Sequence, residues 1–158
     1  MAIEFDVQID WKKLYNYLLY VTYTSAAGLI GTAIGAALIG AYFWQKNALL
    51  MIAGILIILY IPWTLFQQAL RQAKQEIFQK PLHYALSDEG ITISQGETEE
   101  RIPWDDIYKV TSTTNSLYIH MNKKAATIWP KADLGEKKEA VIAMISTHIS
   151  PDRNKIKE

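Results

Sequence analysis

The chain has 158 residues, half of them hydrophobic, with 16 basic against 16 acidic side chains and no cysteine. Disulfides, thiolate metal sites and a cysteine nucleophile are therefore excluded, and the balanced charge leaves no electrostatic footprint for nucleic acid. The distribution of charge says more than its sum, because Lys46 is the only charged residue between Lys13 and Arg71.

Ile3, Phe5, Val7 and Ile9 alternate with Glu4, Asp6, Gln8 and Asp10, which predicts a half-buried strand over residues 1–10. A lone strand cannot bury its apolar face, so this one is expected to pair with strands far away in sequence. A cleaved leader would want a basic start and an apolar core of about 7–15 residues. Here the start is acidic and the apolar run is far longer.

Residues 11–80 read as a helical hairpin with a water-facing extension. Asp10 is placed to cap a helix starting near Trp11, and the run from Leu14 to Gln45 is followed by a second from Asn47 to Leu70. Each exceeds the roughly 20 apolar residues needed to cross a hydrocarbon layer about 30 Å thick. Trp11, Tyr15, Tyr17, Tyr20 and Tyr23 suit an interfacial belt, as do Trp44, Tyr60 and Trp63 near other helix ends. Small residues recur every four positions in two rows, Ala27, Gly31, Gly35 and Gly28, Thr32, Ala36, Gly40. Such rows let backbones approach closely in lipid. They are expected to pack on the second helix of the same chain, and they also offer a homodimer face. Pro62 is expected to kink the return helix, and Pro81 to stop its extension. Lys12, Lys13, Arg71, Lys74 and Lys80 flank one end of the hairpin against Lys46 at the other. That imbalance predicts a multi-pass cell-membrane protein with two helices and both termini cytoplasmic.

Residues 81–158 read as short strands followed by one helix. Strands are expected at Leu82–Leu86, Ile91–Ser94, from Arg101 to Trp104, at Ile107–Thr113, Leu117–Met121 and Ala126–Trp129. Ser87-Asp88-Glu89-Gly90 and Gln95-Gly96-Glu97 mark turns, with Gly90 supplying positive φ, and Pro103 implies an edge or a bulge. Trp104 is the expected core anchor. Asp133 with Glu136 resembles a capping box for a helix carrying Ala140, Val141, Met144, Ile145 and His148. The expected fold is thus an α+β membrane protein, with a hairpin inserted after the first strand and a small antiparallel barrel or sheet capped by the last helix.

Tyr84 with Ser87-Asp88-Glu89-Gly90-Ile91, then Ile102-Pro103-Trp104-Asp105-Asp106-Ile107-Tyr108-Lys109-Val110, then Ile128-Trp129-Pro130-Lys131, resemble the YcxB-like C-terminal domain family. Trp129 stands where a plain aliphatic is expected. The resemblance implies a small bacterial membrane protein whose cytoplasmic domain is similar to pleckstrin-homology-like (PH-like) barrels. It gives Tyr84, Gly90, Pro103, Trp104 and Pro130 structural roles and implies no catalytic residues.

Nothing else in the sequence points to chemistry. His83, His120 and His148 lack ligand spacing, and Asp105 and Asp106 leave most of a cation's ligands unsupplied. No phosphate-binding or nucleophile motif occurs. Neither apolar run holds an Asp, Glu, Lys, Arg or His between its ends, which disfavours transport by a single copy. Acidic residues at both turns disfavour a phosphoinositide pocket, although Lys123, Lys124, Arg153, Lys155 and Lys157 could touch an anionic leaflet. The expectation is a non-enzymatic, cofactor-free and metal-free binding or scaffold protein. Its partners are the lipid bilayer and a protein of unknown identity. The alternative is a resistance, immunity or envelope-stress protein that works through its hairpin.

Overall fold

The computed structural model describes residues 2–123 and 125–156. It divides into two compact units, Asp10–Gln75 and a discontinuous one made of Met1–Ile9 with Glu76–Glu158.

The chain opens with β1 (Ile3–Val7), whose inward Phe5 and Val7 are buried while Glu4 and Asp6 are exposed. Three helices follow: α1 (Trp11–Tyr23), α2 (Ala26–Gln45) and α3 (Ala48–Ala73). Asp10 caps α1 by accepting from the Lys13 N–H at 2.8 Å. Lys46 takes a left-handed conformation with φ 55°, and Asn47 caps α3. That two-residue reversal sets α2 and α3 side by side.

One expectation is corrected here. The first limb of the hairpin is not a single helix from Trp11 to Gln45 but breaks at Thr24 and Ser25. The Ser25 hydroxyl donates to the Thr22 carbonyl at 2.6 Å and accepts from the Gly28 N–H at 3.2 Å, so it closes one helix and caps the next. Among the described residues, only α2 and α3 are both long and apolar enough to cross a membrane. α3 runs unbroken through Pro62.

The discontinuous unit continues with α4 (Glu76–Gln79), β2 (Leu82–Ser87), β3 (Gly90–Gln95) and β4 (Thr98–Pro103). A 3-10 turn at Trp104–Asp106 leads to β5 (Lys109–Ser112), β6 (Ser116–His120) and β7 (Ala126–Pro130). Then come α5 (Lys131–Leu134), a 3-10 turn at Gly135–Lys137, α6 (Lys138–His148) and β8 (Asn154–Lys155). The strands form two four-stranded sheets, β1-β2-β3-β4 and β7-β6-β5-β8. The first is antiparallel throughout, with Phe5 opposite Tyr84 and Tyr84 opposite Ile93. In the second, β8 runs parallel to β5.

The expected barrel is therefore corrected to two separate sheets. Pro103 and the 3-10 turn after it carry the chain off the first sheet, and no ladder joins β4 to β5 among the described residues. The expected third strand likewise ends one residue before Trp104. The capping box also fails. Asp133 falls inside α5 and Glu136 in the following turn, because Gly135 at φ 52° breaks the helix between them.

Aromatic rings fill the space between the sheets. Phe5 stacks on Tyr84 at 5.5 Å, and the Trp129 ring meets both edge-on at 5.1 and 5.3 Å. Trp129 is completely buried.

Candidate functional site

The two rows of small residues on α2 have different surroundings. A Cβ on Gly35 would lie 2.7 Å from Ile58 and 3.1 Å from the Gly54 carbonyl, and one on Gly31 would lie 3.1 Å from Ile61. These two glycines let α2 and α3 approach. Gly28 serves the α1–α2 turn instead, since its Cβ would fall 2.1 Å from the Thr22 carbonyl oxygen. Thr32 donates to the Gly28 carbonyl at 2.9 Å. Ala27, Ala36 and Gly40 are exposed, and nothing lies within 4 Å of a Cβ on Gly40. Gly54 completes the contact, its missing side chain facing the Gly35 carbonyl at 2.6 Å. Sequence reasoning passed over it, although it is the only glycine in α3.

In the two-sheet unit, Tyr84 is buried and its hydroxyl shares a hydrogen bond with Thr127. Burial pushes the Tyr84 phenol up, against the opposing effects of the Thr127 hydroxyl and the neighbouring Trp129 indole. The indole is not aligned for a hydrogen bond, and its N–H is a buried polar group without a partner among the described residues. Gly90 has φ 151°, and a Cβ there would lie 2.3 Å from the Ile102 carbonyl oxygen. Trp104 is buried, donates its indole N–H to the Ser87 carbonyl at 2.9 Å and stacks on His148. Pro130 is buried where β7 passes into α5.

The histidines lie on separate elements. His83 pairs with Asp6 at 2.7 Å, and His148 is 3.8 Å from Asp88. His120 is buried with Nε2 3.0 Å from the Thr111 hydroxyl. Its pKa is pushed down to about 4 by burial and then by the Lys109 ammonium. Among the described residues no three histidine or carboxylate groups are placed to hold a metal ion.

Asp105 and Asp106 line a cleft of about 560 Å³ with Lys109, Lys123 and Arg153. The Arg153 guanidinium donates to the Asp105 and Ile107 carbonyls at 3.3 and 3.0 Å, so it is engaged in holding the chain. Charges of both signs around this cleft give no single-sign anion or cation site. Glu89 pairs with Arg101. Lys124 and Lys157 lie outside the described residues.

The open edge of the first sheet offers different chemistry. Glu99, Glu100 and Arg101 of β4 are exposed, and among the described residues β4 pairs only with β3. Gln95 and Thr98 flank the two-residue turn, so antiparallel alternation leaves the main-chain groups of Glu99 and Arg101 pointing away from β3. At the opposite edge, Lys137 donates to the Glu4 carbonyl and α5 lies against β1. α5 also lies against β7, and β8 is two residues long.

Fold and site together define a class: an α+β protein whose two-sheet domain is interrupted by a hairpin of long apolar helices. Residues 86–145, from the end of β2 into α6, match the family model described as YcxB-like protein. That segment is similar to the YcxB-like domain. No curated protein matches the chain.

Proposed function

We propose that this chain is a membrane-anchored, non-catalytic binding protein. α2 and α3 cross the membrane, Lys46 lies outside, and both termini face the cytoplasm. The YcxB-like domain then stands at the inner leaflet, where its β4 edge accepts an extended segment of a partner protein as a fifth strand. Two sheets meeting face to face through Phe5, Tyr84 and Trp129, followed by a C-terminal helix, support the PH-like description. Confinement to the leaflet raises effective concentration near other membrane proteins, so a modest affinity suffices.

The observation that carries the reading is the outward row of backbone groups on β4. Strand addition satisfies such groups directly and takes its specificity from alternate side chains. A photocrosslinking residue replacing Glu99 in native membranes tests it. The expected result is a protein adduct that disappears when Arg101→Pro removes an outward N–H without touching the β3 ladder. An adduct that persists in Arg101→Pro would sink strand addition.

A further inference from the structure

α1 is not an extension of the first apolar helix. Gly31 meets Ile61 and Gly35 meets Ile58, so α2 and α3 are antiparallel, and counting back from 31 with 61 places Ala26 level with Phe66. The start of α1 lies at that same level. The Trp11 and Tyr15 rings meet Phe66 edge-on at 5.5 and 5.9 Å. The other end of α1 is held there too, because Thr22 touches Gly28 in the first turn of α2 and its carbonyl accepts from the Ser25 N–H at 3.1 Å.

A helix of 13 residues is about 20 Å long. Were α1 collinear with α2, Trp11 would lie about 22 Å beyond Ala26 along the axis. Instead both ends lie within side-chain reach of the Phe66 level, so its axis is tilted strongly away from that of α2. Counted from Ala48, the roughly 20 residues that fill the hydrocarbon end near Phe66, which puts that depth at the boundary between acyl chains and headgroups. The residues of α1 suit the same place. Leu14 is buried, and Lys12 and Asn16 are exposed on the side away from it, with Tyr23 following at helical spacing.

We infer that α1 is a membrane-surface helix, lying in the headgroup–acyl boundary of the leaflet at the Phe66 end, with Lys12 and Asn16 turned to phospholipid headgroups. This rests on the reading of α2 and α3 as spanning helices. Its consequence is that the helix following β1 in the chain is held at the lipid surface.

The absence of cysteine makes single-site labelling clean. Spin labels on Lys12→Cys, Asn16→Cys, Leu19→Cys and Tyr23→Cys, each in the full chain reconstituted into phosphatidylcholine and phosphatidylglycerol vesicles, would report depth from collisions with oxygen and a water-soluble nickel chelate. The expected profile is flat, all four sites lying within about one helical pitch, 5 Å, of the headgroup boundary. A steady gradient of about 16 Å from position 12 to position 23 overturns the inference, as do four fully aqueous readings. Labels at Ala37→Cys and Leu56→Cys separate the two failures. If they read deep, only the placement of α1 is wrong, whereas aqueous readings there remove the spanning helices and the inference with them.

Discussion

Trp129 shows how one side chain can dominate a small core while carrying an unpaired polar atom. A buried donor without a partner costs about 1–3 kcal/mol, whereas truncating a buried tryptophan to alanine costs about 3–5 kcal/mol. Trp129→Phe is therefore expected to lose far less stability than Trp129→Ala, because it discards the orphan N–H along with part of the ring. Denaturant unfolding of the detergent-solubilised protein measures both. His120 contributes a pH dependence of definite sign. The unfolded chain takes up its proton near pH 6.5 and the folded chain only near 4, so the unfolded state binds more protons in that window. This contribution to stability is complete above about pH 6.5 and is lost as pH falls toward 4. Melting temperatures across that range should fall in the wild type and fall less in His120→Gln.

At the scale of elements, close approach of α2 and α3 depends on Gly35 and Gly54 facing each other, with no room for a Cβ on either. Gly54→Leu should force the helices apart and cost about 1–3 kcal/mol or more, read from thermal unfolding in detergent. Gly40→Leu should leave that pairing intact, because the position is open. Any change in oligomeric state caused by Gly40→Leu, measured by light scattering, would mark the exposed row as a contact between copies. Gly90 has the same kind of necessity in the β3 turn, where positive φ and the Ile102 carbonyl both exclude a side chain.

For the whole molecule, the proposed topology follows from five basic residues flanking one end of the hairpin against Lys46 at the other. A tag inserted beside Lys46 should be reached by an impermeant reagent in intact cells, and a tag at either terminus only after lysis. The discontinuity of the two-sheet unit has a further consequence. β1 lies opposite β2 across an insertion of more than 60 residues. Deleting residues 1–9 should therefore expose the buried faces of Tyr84 and Trp129 and destabilise the domain, which tryptophan fluorescence would register.

Two apolar helices, the alternating first strand, the strand–turn rhythm after Pro81 and the family likeness were all legible in the residues. They are written in hydrophobic periodicity, charge exclusion and turn chemistry, which are local. The break at Ser25, the parallel β8, the separation of the sheets and the central place of Trp129 were not legible. The last three depend on contacts between distant residues, and a tryptophan is a core only where Phe5 and Tyr84 come to meet it; the break rests on local bonds of Ser25 to Thr22 and Gly28, in a segment whose apolar run masks the cap. Sequence by itself determined the two apolar helices, the alternating first strand and most of the strands after Pro81. Tertiary structure alone decided which glycines touch, which edge stays open and that α1 packs on Phe66, because those are properties of neighbours that the chain brings together only by folding.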